Sequence, residues 1–203
     1  MVNIEKIYEL CFNRVSEPIV TARMVYNFVR SPFKIWCDLN APEEAKDPLS
    51  EYDKLLFTQG QQHEEKTVNE TYPDAEKIIY TTPEEGFKIV LESMKVGVMA
   101  LHNAPIFYLP EGLTGRADIF ERKEDHPSIF GSYHYVVKEI KLAKNIKDHH
   151  RIQTAYYNYI LGKIQEYTPP FYSLINRDRD EELFSYDEEE IMEVLREIRE
   201  ICD

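Results

Sequence analysis

The fold that this sequence predicts depends on two stretches, Gly115-Arg-Ala-Asp-Ile-Phe-Glu-Arg122 and Tyr133-His-Tyr-Val-Val-Lys-Glu-Ile-Lys-Leu142. Both alternate between apolar and polar residues, as half-buried strands do. The segment between them, Glu124-Asp-His-Pro-Ser128, has the composition of a turn. The two stretches are therefore predicted to pair as a β-hairpin.

The sequence on either side of this hairpin predicts helices and further strands. The predicted helices are Ala22–Val29, Phe33–Asp38, Ser50 to about Glu70, Lys147–Tyr167 and Asp187–Cys202, the last with Ser185 and Glu188 as a capping box. The predicted strands are Lys77–Thr81, Val96–Leu101, Pro105–Leu109 and Phe171–Ile175, and Phe87–Met94 suits either a strand or a helix. This order predicts an α/β fold with a mixed central sheet flanked by helices.

Length and composition indicate an ordinary globular chain. The 203 residues, 43% hydrophobic and 30% charged, correspond to one domain over residues 1–203. There is no apolar run of 18 residues and no basic region followed by an apolar stretch at the start, so we expect neither a membrane span nor a signal peptide. Three scattered cysteines do not make a disulfide framework. We therefore expect a cytoplasmic protein that does not bind membranes.

Charge is unevenly distributed along the chain. The 24 basic and 37 acidic residues give a net charge of −13, which by itself argues against a nucleic-acid partner. Residues 177–203 carry four arginines and twelve acids, whereas residues 131–166 carry six Lys or Arg and three acids. The second segment is locally basic, and a local basic patch matters more to a polyanion than the total charge does.

The predicted hairpin brings chemically useful side chains together. Glu139 and Lys141 share one face of their strand, and pairing of the strands places Asp118 near Glu139. Two carboxylates in one pocket stay ionised only with a cation between them, and hard oxygen ligands favour Mg²⁺ or Mn²⁺. The alternative for Glu139 and Lys141 is a surface ion pair worth less than about 1 kcal/mol.

Two helices carry further candidates. His63 follows Gly60 on the predicted helix Ser50–Glu70, and its imidazole suits completion of a metal site. A glycine inside a helix costs about 1 kcal/mol relative to alanine, which hints at a close approach near Gly60. Gln153 and Tyr157 share one face of the helix Lys147–Tyr167 and suit the orientation of water, phosphate or the lysine. The alternatives are a solvated surface histidine and a helix flank covered by tyrosines.

These motifs, in this order, resemble a known family. Gly-x-x-His, Gly-Arg-Ala-Asp, Glu-x-Lys and Gln-x-x-x-Tyr are similar to the RecB-type nucleases of the PD-(D/E)XK superfamily, and in particular to stand-alone prokaryotic members and the CRISPR-associated RecB-like exonucleases. The resemblance covers about residues 20–176. It implies a restriction-endonuclease-like core, with extra helices at the N-terminal and C-terminal ends, the last being the acidic helix at about 187–202.

The resemblance also implies roles for individual residues. Asp118 and Glu139 would bind the metal, with His63 as a further ligand that Glu64 assists or replaces. Lys141 would be the catalytic lysine, positioned with the substrate by Gln153 and Tyr157. Four basic side chains are expected to contact the substrate phosphates: Arg116, Lys144, Lys147 and Arg151.

The sequence departs from the family at its cysteines. Some relatives carry four cysteines for an iron–sulfur cluster, whereas here only Cys37 and Cys202 fall near the corresponding regions. We therefore expect no cluster. The chain also lacks the phosphate-binding motif of helicases, so unwinding would need a separate helicase as partner.

The sequence thus predicts an Mg²⁺- or Mn²⁺-dependent, exonuclease-like deoxyribonuclease acting in DNA repair, recombination or defence. A catalytically silent module with the nuclease fold, binding nucleic acid or protein, remains the alternative. The acidic helix Asp187–Cys202 is expected to pack on its own domain, although it also suits docking of a partner or a second copy.

Overall fold

A mixed, open β-sheet forms the centre of the molecule in the computed structural model, which describes residues 2–14 and 18–202. Within these residues seven strands are present, six of them in the order β2-β3-β4-β5-β6-β7, while β1 pairs with β4 outside this order. The strands are β1 (Val20–Thr21), β2 (Glu76–Lys77), β3 (Ala100–Tyr108), β4 (Leu113–Lys123), β5 (His134–Ile140), β6 (Phe171–Ile175) and β7 (Glu181–Ser185). Neighbouring strands are antiparallel for β3–β4, β4–β5 and β6–β7 and parallel for β1–β4, β2–β3 and β5–β6.

Helices flank this sheet, which confirms the α/β fold with a mixed central sheet. They are α1 (Ile4–Phe12), α2 (Ala22–Arg30), α3 (Pro32–Asn40), α4 (Glu51–Thr71), α5 (Pro83–Val96), α6 (Asp148–Gln165) and α7 (Glu188–Cys202). None of the helices in the described ranges is long and apolar enough to cross a membrane.

The predicted hairpin is confirmed as β4 and β5, which pair antiparallel from Ile119 opposite Lys138 to Lys123 opposite His134. After β5 a connection of residues 141–147 leads into α6, whose inner residues are buried against the sheet. The strand predicted at Phe171–Ile175 is β6, and it lies parallel to β5. Because β5 and β6 are parallel, α6 acts as their crossover, as expected for an α/β unit.

The region between α4 and β4 differs from the prediction. Val96–Leu101 and Pro105–Leu109 are not separate strands, because Ala100–Tyr108 forms the single strand β3 and Val96 ends α5. Phe87–Met94 lies within α5. Of the strand predicted at Lys77–Thr81, only Lys77 pairs with β3. The pairing ends there because the side chain of Asn103 donates a hydrogen bond to the carbonyl of Ile78 (3.0 Å). Pro83 then begins α5.

The acidic helix α7 packs on its own domain, as expected. Ile191, Leu195 and Ile198 are fully buried in the main core. Its cap differs from the predicted Ser185–Glu188 box, because the carboxylate of Asp187 accepts hydrogen bonds from the backbone N–H groups of Glu189 and Glu190. An acidic side chain at this position also matches the positive end of the helix dipole.

Helix α4 leaves the core over most of its length. Its capping box at Ser50 and Asp53 is formed as predicted, but only Thr67 and Val68 near its C-terminal end are buried. The first half, residues 51–62, exposes apolar side chains, including Tyr52, which is 67% exposed, and Phe57, which is 58% exposed. Residues of this half line two cavities, one with Lys141 and one with His102 and Arg116.

Candidate functional site

The site begins where β4 and β5 separate. Their ladder ends at Ile119 and Lys138, and in the same register Asp118 would lie opposite Glu139. Beyond this point, hydrogen bonds to side chains replace those between the two backbones. Glu139 Oε1 accepts a hydrogen bond from the Asp118 N–H (2.8 Å), and Asp118 Oδ2 accepts one from the Ile140 N–H (2.8 Å). The two predicted carboxylates are therefore neighbours, each held by the backbone of the opposite strand.

Lys141 lies directly beside this pair. Its Nζ donates hydrogen bonds to Glu139 Oε2 (2.8 Å) and to Gln153 Oε1 (3.0 Å). The Gln153 amide nitrogen in turn donates to the carbonyl of Ala22 at the start of α2 (3.3 Å). The ammonium of Lys141 is thus held in place by Glu139 of β5 and by Gln153 of α6, which is itself anchored to α2.

The charges of Asp118, Glu139 and Lys141 act on one another. Burial, together with the nearby charge of Glu139, raises the pKa of Asp118 well above its usual value. Burial opposes the charge of Lys141, yet the carboxylates of Glu139 and Asp118 keep its pKa above the ordinary lysine value. The group contains one ammonium and two carboxylates, so full ionisation of Asp118 leaves it with a net negative charge. This charge favours binding of a further cation in the site.

Tyr157 completes the inner wall of the site. Its side chain is buried and lies near Glu139 and Asp118, and burial first, then these charges, raise the pKa of its hydroxyl well above the usual value. The ring approaches the backbone of β4 so closely that a Cβ on Gly115 would lie 2.5 Å from Tyr157 Cε1. The glycine of the Gly-Arg-Ala-Asp motif therefore makes room for the tyrosine of the Gln-x-x-x-Tyr motif.

Substitution of Gly115 is expected to disturb this wall. Gly115→Ala should lower the free energy of unfolding by about 1–3 kcal/mol, because the added methyl group overpacks a buried ring. Chemical denaturation of the purified variant measures the change. An unchanged unfolding free energy would contradict the close packing.

Gly60→Ala supplies a matched control for this substitution. No atom lies within 4 Å of a Cβ built on Gly60, so the hint of a close approach near Gly60 is wrong. Because alanine favours a helix interior over glycine, this variant should gain about 0.5–1 kcal/mol of stability.

His63 reaches the site region from a different element. It follows Leu56 by seven residues and Gln59 by four, so these three side chains share one face of α4. Leu56 and Gln59 line a cavity together with Lys141. The Nε2 atom of His63 is buried and has no hydrogen-bond partner, which is costly for a polar atom unless a ligand satisfies it.

The predicted ligands do not form a finished metal centre. Within residues 2–14 and 18–202, no group of three or more His, Cys, Asp or Glu side chains is arranged to hold a metal ion. The structure brings Asp118 and Glu139 together and places His63 on the adjacent helix. The unpartnered imidazole nitrogen and the raised pKa of Asp118 are both features that a divalent cation would relieve, so the donor set fits Mg²⁺ or Mn²⁺ in its chemistry.

A buried polar pair next to the site was not predicted as such. His102 Nε2 and Glu64 Oε1 lie 2.9 Å apart, and although burial opposes it, His102 and the nearby Arg116 and Lys141 lower the pKa of Glu64. Next to His102, Asn103 has a positive φ of 63° and stands opposite Asp118 in the register of β3 and β4. Asparagine tolerates this conformation better than most residues do. The only signal for this group in the sequence was Glu64 beside His63.

The four predicted phosphate-binding residues have different surroundings. Arg116 lines two cavities, one with Glu64 and His102 and one with Gln153 and Tyr157. Lys144 and Lys147 are exposed just before and at the start of α6. Arg151 instead forms a bidentate ion pair with Glu190 of α7 (2.6 and 2.7 Å), so its guanidinium joins α6 to α7 rather than facing the site.

No protein-family model matches the chain, and the curated proteins contain no match to it. Among solved structures, the chain is similar to the crystal structure of SSO0001, with 17% sequence identity and a TM-score of 0.40. The alignment covers 98% of this chain and 82% of that chain. A likeness this distant says nothing about the chemistry of the site.

Proposed function

We propose that the chain is a nuclease that hydrolyses phosphodiester bonds of DNA with the aid of Mg²⁺ or Mn²⁺. The proposal rests above all on the placement of Lys141 Nζ, 2.8 Å from Glu139 and 3.0 Å from Gln153, beside the paired carboxylates Asp118 and Glu139. This arrangement at the diverging ends of two strands is what a restriction-endonuclease-like core of the RecB type requires. The four sequence motifs support the same proposal.

In this proposal the carboxylates hold the cation. Asp118 and Glu139 offer hard oxygen donors, and His63 offers a nitrogen that no protein group satisfies. When bound, a divalent cation supplies Lewis-acid activation of water and of the phosphate. Arg116, next to Asp118 in the sequence and lining two adjoining cavities, presents a guanidinium for a phosphate oxygen.

Lys141 is the residue that acts on the reacting atoms. Its ammonium remains charged, because the two carboxylates outweigh the burial that opposes the charge. A charged donor held in place stabilises the negative charge that develops on the phosphorus oxygens during in-line attack. Gln153 positions Lys141 through its hydrogen bond to Nζ, and Tyr157 closes the inner wall, so both are positioning residues.

The wider setting of this activity follows from the family resemblance. An exonuclease-like action in DNA repair, recombination or defence, in the cytoplasm and together with a separate helicase, is the setting that we propose. Lys144 and Lys147, which are exposed just before α6, extend the path of the substrate beyond the site.

A cleavage assay tests the proposal directly. Purified protein should degrade 5′- and 3′-labelled single- and double-stranded DNA with Mg²⁺ or Mn²⁺ and should be inactive in EDTA. The two label positions report the direction of digestion. Absence of cleavage on all substrates with both metals, or cleavage that persists in EDTA, would contradict the proposed activity.

A catalytically silent binding module remains a second candidate, and one observation favours it. Both oxygens of Glu139 already accept hydrogen bonds from protein donors, Oε1 from the Asp118 N–H and Oε2 from Lys141. Calorimetric titration with Mn²⁺ separates the candidates. The nuclease should bind Mn²⁺ at a site that Glu139→Gln weakens, whereas a silent module that has lost its metal site should show no such binding.

A further inference from the structure

A cavity on one side of Lys141 is suited to an anion. Its volume is about 500 Å³, and it is lined by Leu56, Gln59, Lys141, Leu142, Ala143, His150 and Arg177. Among these lining residues Lys141, His150 and Arg177 carry basic nitrogens, and none is an aspartate or glutamate. Lys141 and Arg177 each pair with a carboxylate outside the lining, Glu139 (2.8 Å) and Asp178 (3.4 Å). The cavity on the other side of α4 is different, because Glu64 and Glu65 line it together with Lys77 and Arg116.

The positive charge around the first cavity extends behind its wall. His150 is buried, and its burial, together with the nearby His149, Lys141, Lys147 and Arg30, lowers its pKa to about 4. The rings of His149 and His150 are 4.3 Å apart, and Tyr26 of α2 packs against His149 at 4.6 Å. Three cations, Arg30 of α2, Lys141 just after β5 and Lys147 just before α6, therefore act on one region, which makes it attractive to a phosphate, while the His150 imidazole itself stays neutral.

Helix α4 adds an aromatic side chain to the same face. Tyr52 precedes Leu56 by four residues and Gln59 by seven, so it continues the helical face that lines the cavity. It is 67% exposed and lies at the outer end of this face. Exposed aromatic rings next to a positively charged groove are the usual means by which proteins bind single-stranded nucleic acid.

We infer that this cavity binds the nucleotide next to the cleaved phosphodiester, with Arg177 and His150 at its phosphate and Tyr52 stacked on a neighbouring base. The inference rests on the proposed nuclease function and extends it to the substrate class. Stacking on Tyr52 needs an unpaired base, so the substrate at this site is single-stranded DNA rather than duplex DNA.

The phosphate contact is tested by salt dependence. Binding of a fluorescent single-stranded oligothymidylate is measured by anisotropy in EDTA, at several salt concentrations, for wild type and Arg177→Gln. Arg177 is 51% exposed, so the variant should fold normally. We expect weaker binding and a loss of about 0.7 from the slope of log K against log salt, because one phosphate contact disappears.

Arg196→Gln is the matched control for this loss of charge. Arg196 is also an exposed arginine among acidic neighbours, but it lies on α7 and does not line the cavity. Its affinity and slope should equal those of wild type. Equal slopes for wild type and Arg177→Gln, or an absence of binding by wild type even at low salt, would overturn the inference.

The stacking contact has its own matched pair of variants. Tyr52→Ala should weaken binding of the single strand by about tenfold with an unchanged salt slope, since stacking on one base involves no ion release. Phe57→Ala removes a similarly exposed aromatic ring from another face of the same helix and should have no effect. Equal binding by all three proteins would overturn the stacking contact, and so would a dimer that Tyr52→Ala dissociates without a change in binding.

These outcomes are separable from failure of the nuclease proposal. Wild type that binds the oligonucleotide with the expected slopes, but does not cleave it with Mg²⁺ or Mn²⁺, would retain the binding site and refute the activity. Cleavage with unaltered binding by Arg177→Gln and Tyr52→Ala would retain the activity and refute this binding site.

Discussion

Replacing Lys141 by alanine should slow DNA cleavage by about 10²–10³-fold, the usual effect of removing one positioned donor from a developing oxyanion. The ammonium is held at 2.8 Å from Glu139 and 3.0 Å from Gln153, so the substitution removes a positive charge that is fixed beside the paired carboxylates. The loss should appear in kcat more than in KM, because the contact strengthens as charge develops. Single-turnover cleavage of labelled DNA at saturating Mg²⁺ measures it.

Two controls separate chemistry from folding in this experiment. Lys123→Ala removes a half-buried lysine from the same hairpin, where it pairs with Glu121, and should cleave DNA at the wild-type rate. Far-UV circular dichroism should show that Lys141→Ala keeps its helices and strands. Cleavage by Lys141→Ala at the rate of Lys123→Ala would remove Lys141 from the reaction.

The parts of the fold that are encoded locally were predictable. The hairpin of β4 and β5 and the helix α6 each follow from one periodic pattern within a short stretch, and all three are present. β6 was likewise predictable as an apolar segment after two prolines. Because the register of a hairpin fixes which residues are neighbours, Asp118, Glu139 and Lys141 could be placed together from the sequence alone.

The edges of the sheet were not predictable in this way. β7, Glu181–Ser185, was missed because most of its residues are exposed and it begins with two glutamates, so the strand depends on pairing with β6 rather than on an apolar pattern. β3 was divided in two because Pro105 and Asn103 look like breaks. In the structure Asn103 adopts a positive φ and the strand continues through it.

The contacts in the site between residues far apart in the chain were also not predictable from the sequence. Glu64 and His102 are 38 residues apart, and only the packing of α4 beside β3 brings them to hydrogen-bonding distance. For Arg151, the basic residues around it suggested a contact with a substrate phosphate. In the structure its ion-pair partner is Glu190 of α7. Local charge predicts where an anion can bind only after the partners from other elements are known.

Asp118→Asn should abolish metal-dependent cleavage and at the same time raise the melting temperature of the metal-free protein. Burial and Glu139 raise the pKa of Asp118, so the folded protein holds this proton at pH values at which the unfolded chain releases it. The contribution of Asp118 to stability is therefore complete below the unfolded pKa of about 3.9 and is lost as the pH rises through the raised pKa. Near neutral pH the neutral amide avoids this loss, while its oxygen can still accept the hydrogen bond from Ile140.

The pH dependence checks the cause of this stabilisation. The advantage of Asp118→Asn over wild type should be a few degrees near neutral pH and should disappear towards pH 4, where the wild-type carboxyl is protonated as well. Asp74→Asn alters an exposed aspartate and should follow wild type throughout. A metal-free Asp118→Asn that melts below wild type near neutral pH would show that the Asp118 carboxylate stabilises the fold, contrary to the effect of burial and of Glu139 on its pKa.

Addition of Mn²⁺ should reverse this order, because a cation bound between Asp118 and Glu139 removes the repulsion that the substitution relieves. A ligand at a hundred times its Kd stabilises a folded protein by about 2.7 kcal/mol, which in a chain of this size raises Tm by about 5–10 °C. Wild type should show this rise, and Asp118→Asn should not, since it has lost one charged donor. Equal rises in both proteins would place the bound Mn²⁺ elsewhere and leave the paired carboxylates with a structural role, because their hydrogen bonds to the two strands do not depend on a metal.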